Sequence, residues 1–325
     1  MLSINQLMKY LRNPQKHNIS IKSSQTQQLR NLGYYHGYKG YRFIRVPTHK
    51  IPFSNFDEII ALNQFDMQLK SLFYPKVMFI ENALKSYVIE SVLHDAKSEH
   101  LDTIFTRSVT YYKSFTPGSA EYKKEYTKQM RLKGKINNAL IRDYDHKQQI
   151  VNHFFYNDRS IPIWAIFESL TLGEFGTFFS CLKKDVKLHT SKTLKLPTNQ
   201  DSDGKITQYM IYTIKDLRNA VAHNNIIFDT RFQAASINRR LISLLEQETS
   251  ITNINFNSID SYFILITYML RKMNVTKTEC KQFIRLFANS LETLRSEIPV
   301  NIYNQITGTN VKNTIKKLEQ YISNS

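Results

Sequence analysis

The stretch KDLRNAVAHNNIIFDTRF, Lys215 to Phe232, decides how the rest of the chain is read. Leu217 and Val221 continue an apolar spacing begun at Ile206, Met210 and Ile214, so this segment is expected to arrive as an amphipathic helix. Asn224 and Asn225 are good residues for such a helix to end on, and Asp229 can cap the next segment. Near that end stand Arg218 and His223, with four residues between them. RNA carries its own nucleophile, the 2′-OH. A protein need only take that proton, protonate the leaving 5′ oxygen and stabilise charge on phosphate, and histidine with arginine suffices without a metal. On an ideal helix Asn219 and His223 nearly share a face, whereas Arg218 and His223 lie about 140° apart. The arginine must reach around, or face another subunit.

The spacing alone is cheap. Arg12 and His17 repeat it in RNPQKH, and Arg30 to His36 is one residue longer. Pro14 argues against a helix through the first, and Gly33 with its tyrosines argues against one through the second. Only Arg218 and His223 have helical context.

Working outward, the 42% hydrophobic and 12% aromatic content excludes wholesale disorder, and only 9 glycines and 8 prolines in 325 residues favour helices over a turn-rich β architecture. The chain reads as mainly α. Its formal charge of +17 attracts polyanions, with nucleic acid as the leading partner, although surplus lysine also serves simply to solvate a surface. Cys181 and Cys280, with no CxxC and no close histidine, indicate neither a disulfide framework nor a zinc site. No metal or other cofactor is expected. MLSINQLMKYLRNPQKH has no apolar leader core and no later segment is long and apolar enough to span a bilayer, so a soluble cytoplasmic protein is expected.

Residues 24–33 are expected to form a short helix ending at Gly33, followed by GYYHGYKGYRFIRVP as a turn and short extended stretch. Tyr34, Tyr35, Tyr38 and Tyr41 serve there either as packing anchors or as base-stacking faces beside Lys39, Arg42 and Arg45. From Asn55 to His94 the apolar periodicity is helical, with a kink or break expected at Pro75. Glu81 lies in this run among Val77, Phe79, Ile80 and Leu84; buried, it needs a partner, and a surface position is expected. Residues 107–147 turn basic and tyrosine-rich and are expected to form a hairpin insertion. Lys123, Lys124, Lys128, Arg131, Lys133 and Lys135 would neutralise phosphates beside Tyr111, Tyr112, Tyr122 and Tyr126, or the segment is an ordinary solvated surface. His146 and His153 could share a helix face but lack a third ligand.

SIPIWAIFESLTLGEFGTFFSCL reads as a helix capped by Ser160, with its aromatic residues in the core. A linker-like segment, SKTLKLPTNQDSDGK, leads to the helix that carries Arg218 and His223. Further helices are expected near residues 236–247, 259–273, 277–296 and 311–322. The resulting organisation is an N-terminal tyrosine-rich segment over 1–54, a helical core over 55–232 and a C-terminal helical region over 233–325.

Four blocks in order resemble the bacterial abortive-infection family that includes AbiD and AbiF proteins. GYYHGYKGYRF resembles its NYYRLxGY block, and FDMQLKSLFYPKVMFIENALKSYV resembles its helix with an IExxLR-like core. PIWAIFESLTLGEFGTFF resembles its PxW helix, and DLRNAVAHNNIIFDTRF its LRNxxAHHxRLxNR block; together they span about residues 24–232. Asn224 stands in place of a second histidine, Lys85 where arginine is common, and His36 interrupts the tyrosine block. The resemblance implies a HEPN-like helical bundle with additional N- and C-terminal helices, a fold of metal-independent endoribonucleases that use an Arg-x4-6-His motif and are also found in type VI CRISPR effectors.

Because such sites are composite and this chain has one convincing motif, the resemblance implies a homodimer in which both copies of Arg218 and His223 converge. His223 would be the general acid or base and Arg218 would stabilise the pentacoordinate phosphate. Asn219 would orient the histidine or phosphate, with Asn224, Asp229, Arg231 and Glu81 supporting. RNA is the expected substrate and a small structured antitoxin RNA an expected partner. The competing expectation is a non-catalytic RNA-binding protein in a defence complex.

Overall fold

The computed structural model describes residues 3–146, 149–197 and 199–325. Lys147, at the end of the basic stretch, and Met1 and Leu2 of the N-terminal segment lie outside the described residues, as does Thr198 of the linker. Among the described residues the secondary structure is helical, broken by isolated bridges such as Phe43 with Lys50 rather than by strands. The expectation of a mainly α protein holds. No helix among the described residues is long and apolar enough to cross a membrane.

The chain forms two compact units: residues 1–77, 216–237 and 242–325, and residues 78–215 with 238–241. A 41-residue helix, Phe56–Ala96, contributes its first half to one and its second half to the other. Leu62, Leu69, Phe73, Val77, Ile80, Leu84, Val88 and Val92 recur at helical spacing along one stripe, and all are fully buried. Helical pairing continues through Pro75, so the expected break does not occur. One absent N–H is a small loss against a stripe buried along the whole length.

In the first unit Phe73 stacks with Phe263 and Phe287, the last two at 3.9 Å between ring centres. Ile259–Lys272 is buried on every side from Ile259 to Leu270 and forms the central C-terminal helix, packed with Lys277–Glu297 and Val311–Asn324. These match the expected C-terminal helices. One more, Val300–Thr307, was not anticipated; it starts behind Pro299 and stops at Gly308, whose φ of 74° suits glycine. The glycine and tyrosine segment also differs from expectation. A short wide helical turn, Tyr35–Lys39, follows Gly33 at φ 73°, because Tyr38 and Tyr41 must both reach the core within one tight turn.

In the second unit the basic stretch is one 26-residue helix, Ala120–Asp145, rather than a hairpin. Leu132, Ile136 and Ala139 form its buried edge, and Ser119 caps its start by accepting from the Tyr122 amide. His146 ends this helix while His153 belongs to the next, Gln149–Tyr156, so they share no helix face. The segment from Ser160 is two helices, Ile163–Ser169 and Leu172–Cys181. Thr171 and Glu174 make a reciprocal capping box at the second, whereas Ser160 contacts His100 and caps nothing. Phe167, Phe175, Phe178 and Phe179 are core as expected, but Trp164 is 43% exposed.

Candidate functional site

The helix Lys205–Ala222 buries Ile206, Met210, Ile214, Leu217 and Val221, as their spacing predicted. Its end is closed by two backbone bonds. The Asn225 amide donates to the Ala220 carbonyl (2.8 Å) and the Asn224 amide to the Val221 carbonyl (3.3 Å), with Asn224 left-handed at φ 53°. This is a complete Schellman closure, in which asparagine is one of the few residues with a β-carbon that take the left-handed position readily. It fixes His223 as the last residue of the helix end, exposed, with its amide bonded to the Asn219 carbonyl (3.0 Å). Asn219 is exposed on the preceding turn and Arg218 is half-buried beside it.

What holds this end in place was not visible in the sequence. Asp66, fully buried on the long helix, accepts from the amides of Ile227 (2.8 Å) and Phe228 (2.9 Å) and from the Tyr41 hydroxyl (3.1 Å). It also pairs with Lys70 at 2.7 Å, and Lys70 Nζ donates to Asn224 Oδ1 at 2.8 Å. Asn63 donates to the Tyr41 oxygen. A carboxylate with four such partners is satisfied in a dry interior, and it ties the residues after His223 to the long helix. Asn224 is thus a structural link as well as a helix terminator.

The tyrosine-rich segment completes the clamp. Gly40 lies so close to Ile226 that an added β-carbon would come within 2.3 Å of its Cδ1. The Arg231 guanidinium donates to the carbonyls of Gly40 and Phe43, both 2.7 Å, pairs with Asp229 at 2.5 Å and lies 4.4 Å from the centre of the Phe43 ring. Asp229 also accepts from the Arg45 amide at 2.6 Å. Asp229 and Arg231 therefore fasten the tyrosine-rich segment to the loop after His223, a supporting position reached through backbone rather than through Arg218 or His223. His36, which stands in the tyrosine block, is half-buried, with its ring 6.5 Å from that of Tyr41. Burial, then Lys70, pull its pKa below the ordinary histidine value, with Asp66 opposing.

The remaining expected contacts divide between the units. Lys39 is exposed beside the Tyr34 ring, Arg42 half-buried beside Phe43, and Arg45, also half-buried, donates to the Asn257 side chain. All three belong to the first unit, as do Arg218, Asn219 and His223. Glu81 belongs to the second, and the expectation of a surface position is overturned: it is 4% exposed. Lys85, one helical turn on, stands 3.5 Å from it and donates to the Leu170 carbonyl, so the burial is offset by a cation that is itself buried. Lys123, Lys124, Lys128, Arg131 and Lys133 all sit exposed on the basic helix. Lys128 is paired with Glu125 at 2.6 Å and Lys133 covers Phe105. Tyr111, Tyr112, Tyr122 and Tyr126 pack on one another at ring distances such as 4.9 Å for Tyr112 with Tyr126.

Among the described residues no group of three or more His, Cys, Asp or Glu side chains is arranged to hold a metal ion. No curated protein and no solved structure is detectably similar to the chain. A family model described as Abi-like protein matches residues 27–229, from the helix before the tyrosine block to Asp229 in the clamp. That span covers more than half of the chain and includes Arg218, Asn219 and His223, and the chain belongs to the Abi-like family.

Proposed function

We propose that the chain is an abortive-infection endoribonuclease that cleaves RNA without a metal, as a homodimer with a composite site, under the control of a small structured RNA. The observation that carries the reading is the rigid presentation of His223 and Asn219 at a clamped, solvent-facing helix end with Arg218 one turn behind. A general acid or base must meet substrate from solvent on a backbone that holds its place, and the clamped helix end supports this reading.

In the proposed reaction one His223 takes the proton of a 2′-OH and the 2′ oxygen attacks phosphorus. Arg218 stabilises the charged pentacoordinate species, and the bond to the 5′ oxygen breaks as that oxygen receives a proton from the second His223. The products are a 2′,3′-cyclic phosphate and a 5′-OH. The separation of about 140° between Arg218 and His223 on one helix is met when arginine and histidine of two copies face one RNA. The basic helix with its exposed lysines favours RNA as the polyanion, and it is also what a purely RNA-binding protein would carry.

The test is what mutation changes. In the enzyme, Arg218→Ala and His223→Ala slow cutting by about a hundredfold or more and leave RNA affinity nearly intact. In a binding protein, the parent does not cut and the same substitutions lower affinity. Sequencing RNA that co-purifies from cells expressing the native locus tests control by a bound RNA: one discrete species supports it, and a random population contradicts it.

A further inference from the structure

A second feature lies apart from His223, in the first unit, where residues 42–51 double back on themselves. The Ile51 amide donates to the Arg42 carbonyl and the Ile44 amide to the His49 carbonyl, which sets Arg42 and Lys50 on facing arms. The turn after the first helix, Ile4–Arg12, brings Lys16 and His17 to the same place. Together with Tyr38 they line a cavity of about 520 Å³, whose apolar wall includes Ile19, Ile51 and Phe53. No carboxylate is among its lining residues.

The Tyr38 hydroxyl meets His17 Nδ1 at 2.5 Å, with the positive charge of Arg42 close to both groups. The nearby Arg42 charge favours a hydroxyl whose lone pairs face the guanidinium and whose hydrogen points at Nδ1. Burial pushes the pKa of that hydroxyl up to about 12, which keeps the hydrogen in place. Burial first, then Arg42, Lys50 and Lys16, pull His17 below its ordinary value, so the ring is neutral with its hydrogen on Nε2. His17 Nε2 is buried and has no partner. Three cations around an unused donor repel one another unless an anion joins them.

We infer that this pocket binds the terminal phosphate of a nucleotide, with Lys16, Arg42 and Lys50 holding the phosphate, His17 donating to it, and the apolar wall receiving the nucleoside. A terminal phosphate carries nearly two charges where an internal diester carries one, which matches three cations better. The volume lies within the usual range of roughly 300–1,000 Å³ for small-ligand sites and is too small for a strand. The source is either a free mononucleotide or the 5′ end of an RNA. The site stands whether or not His223 cuts RNA.

Calorimetric titration of the full chain with adenosine 5′-monophosphate, inorganic phosphate, and a short 2′-O-methyl RNA bearing either a 5′-phosphate or a 5′-hydroxyl tests it. The methyl groups remove the nucleophile, so the RNA cannot be cut. Saturable binding of the mononucleotide or of the 5′-phosphorylated strand is expected, and whichever binds identifies the source. The double variant Lys16→Ala, Lys50→Ala changes two exposed side chains and should weaken that binding at least tenfold with an unchanged melting temperature. Lys123→Ala, Lys124→Ala should leave mononucleotide binding as it was. Equal binding of the two RNA ends without binding of the mononucleotide, affinity for inorganic phosphate equal to that for the nucleotide, unchanged affinity in the double variant, or no saturable binding would each overturn the proposal.

Discussion

The long helix carries two carboxylate and lysine pairs at the same spacing, Asp66 with Lys70 and Glu81 with Lys85, one in each unit. Each is buried, yet they hold differently. Asp66 meets Lys70 at 2.7 Å and directs its other contacts to Tyr41 and to two backbone amides after His223. Glu81 and Lys85 stand at 3.5 Å, and Lys85 turns to the Leu170 carbonyl, at the corner between two short helices. In both, a charge inside an apolar stripe is the mark of a loop that needs fastening. The first pair fastens the loop of the candidate site, and the second fastens a corner of the scaffold.

That contrast breaks most easily at Asp66. Asp66→Ala strands Lys70 and two amides, and should cost about 3–5 kcal/mol, read as a lower urea midpoint and faster exchange of the Ile227 and Phe228 amides. Lys85→Met leaves the Leu170 carbonyl without its donor and removes the cation beside buried Glu81, and because that pair is looser it should cost somewhat less, about 2–4 kcal/mol. Equal destabilisation by the two would mean that the extra partners of Asp66 contribute nothing.

Gly40→Ala sharpens the same clamp from the other side. Its β-carbon would strike Ile226, an overpacking expected to cost about 1–3 kcal/mol and to loosen the loop after His223. Asn224 separates backbone shape from the Lys70 contact. Asn224→Ala should cost about 1–2 kcal/mol for its left-handed conformation, whereas Asn224→Gly removes the same hydrogen bond but suits φ 53° and should fold better than the alanine variant.

The smallest effect is expected at the basic helix. Lys123→Glu and Lys124→Glu should flatten the log-log salt dependence of single-stranded RNA binding by roughly 0.7 for each phosphate no longer neutralised. Lys128→Glu should change it less, since Glu125 already pairs with that lysine. An unchanged slope would make this helix plain solvated surface.

Most of the helices could be read from the sequence because burial along them repeats every three or four residues, as from Ile206 to Val221. The break at Leu170 was also written there, in Thr171 and Glu174, but a continuous apolar run hid the capping box. Glu81 and Asp66 were less accessible. Whether a carboxylate is buried depends on contacts such as the Ile227 amide, about 160 positions from Asp66, and on the Leu170 carbonyl that holds Lys85 beside Glu81 from about 85 positions away. The turn at Tyr35–Lys39 depends likewise on where Tyr38 and Tyr41 find their core. Arg218 and His223 could be picked out by type and helical context, but the clamp that fixes their helix end could not.

The most direct test is cleavage of RNA by the purified chain in EDTA, with analysis of the new ends, for the parent and for His223→Ala. The parent should leave 2′,3′-cyclic phosphate and 5′-OH ends, and His223→Ala, melting at the same temperature, should cut about 10²- to 10⁴-fold more slowly. A folded His223→Ala protein that cuts at the parental rate, or a parent whose cutting stops in EDTA, would contradict it.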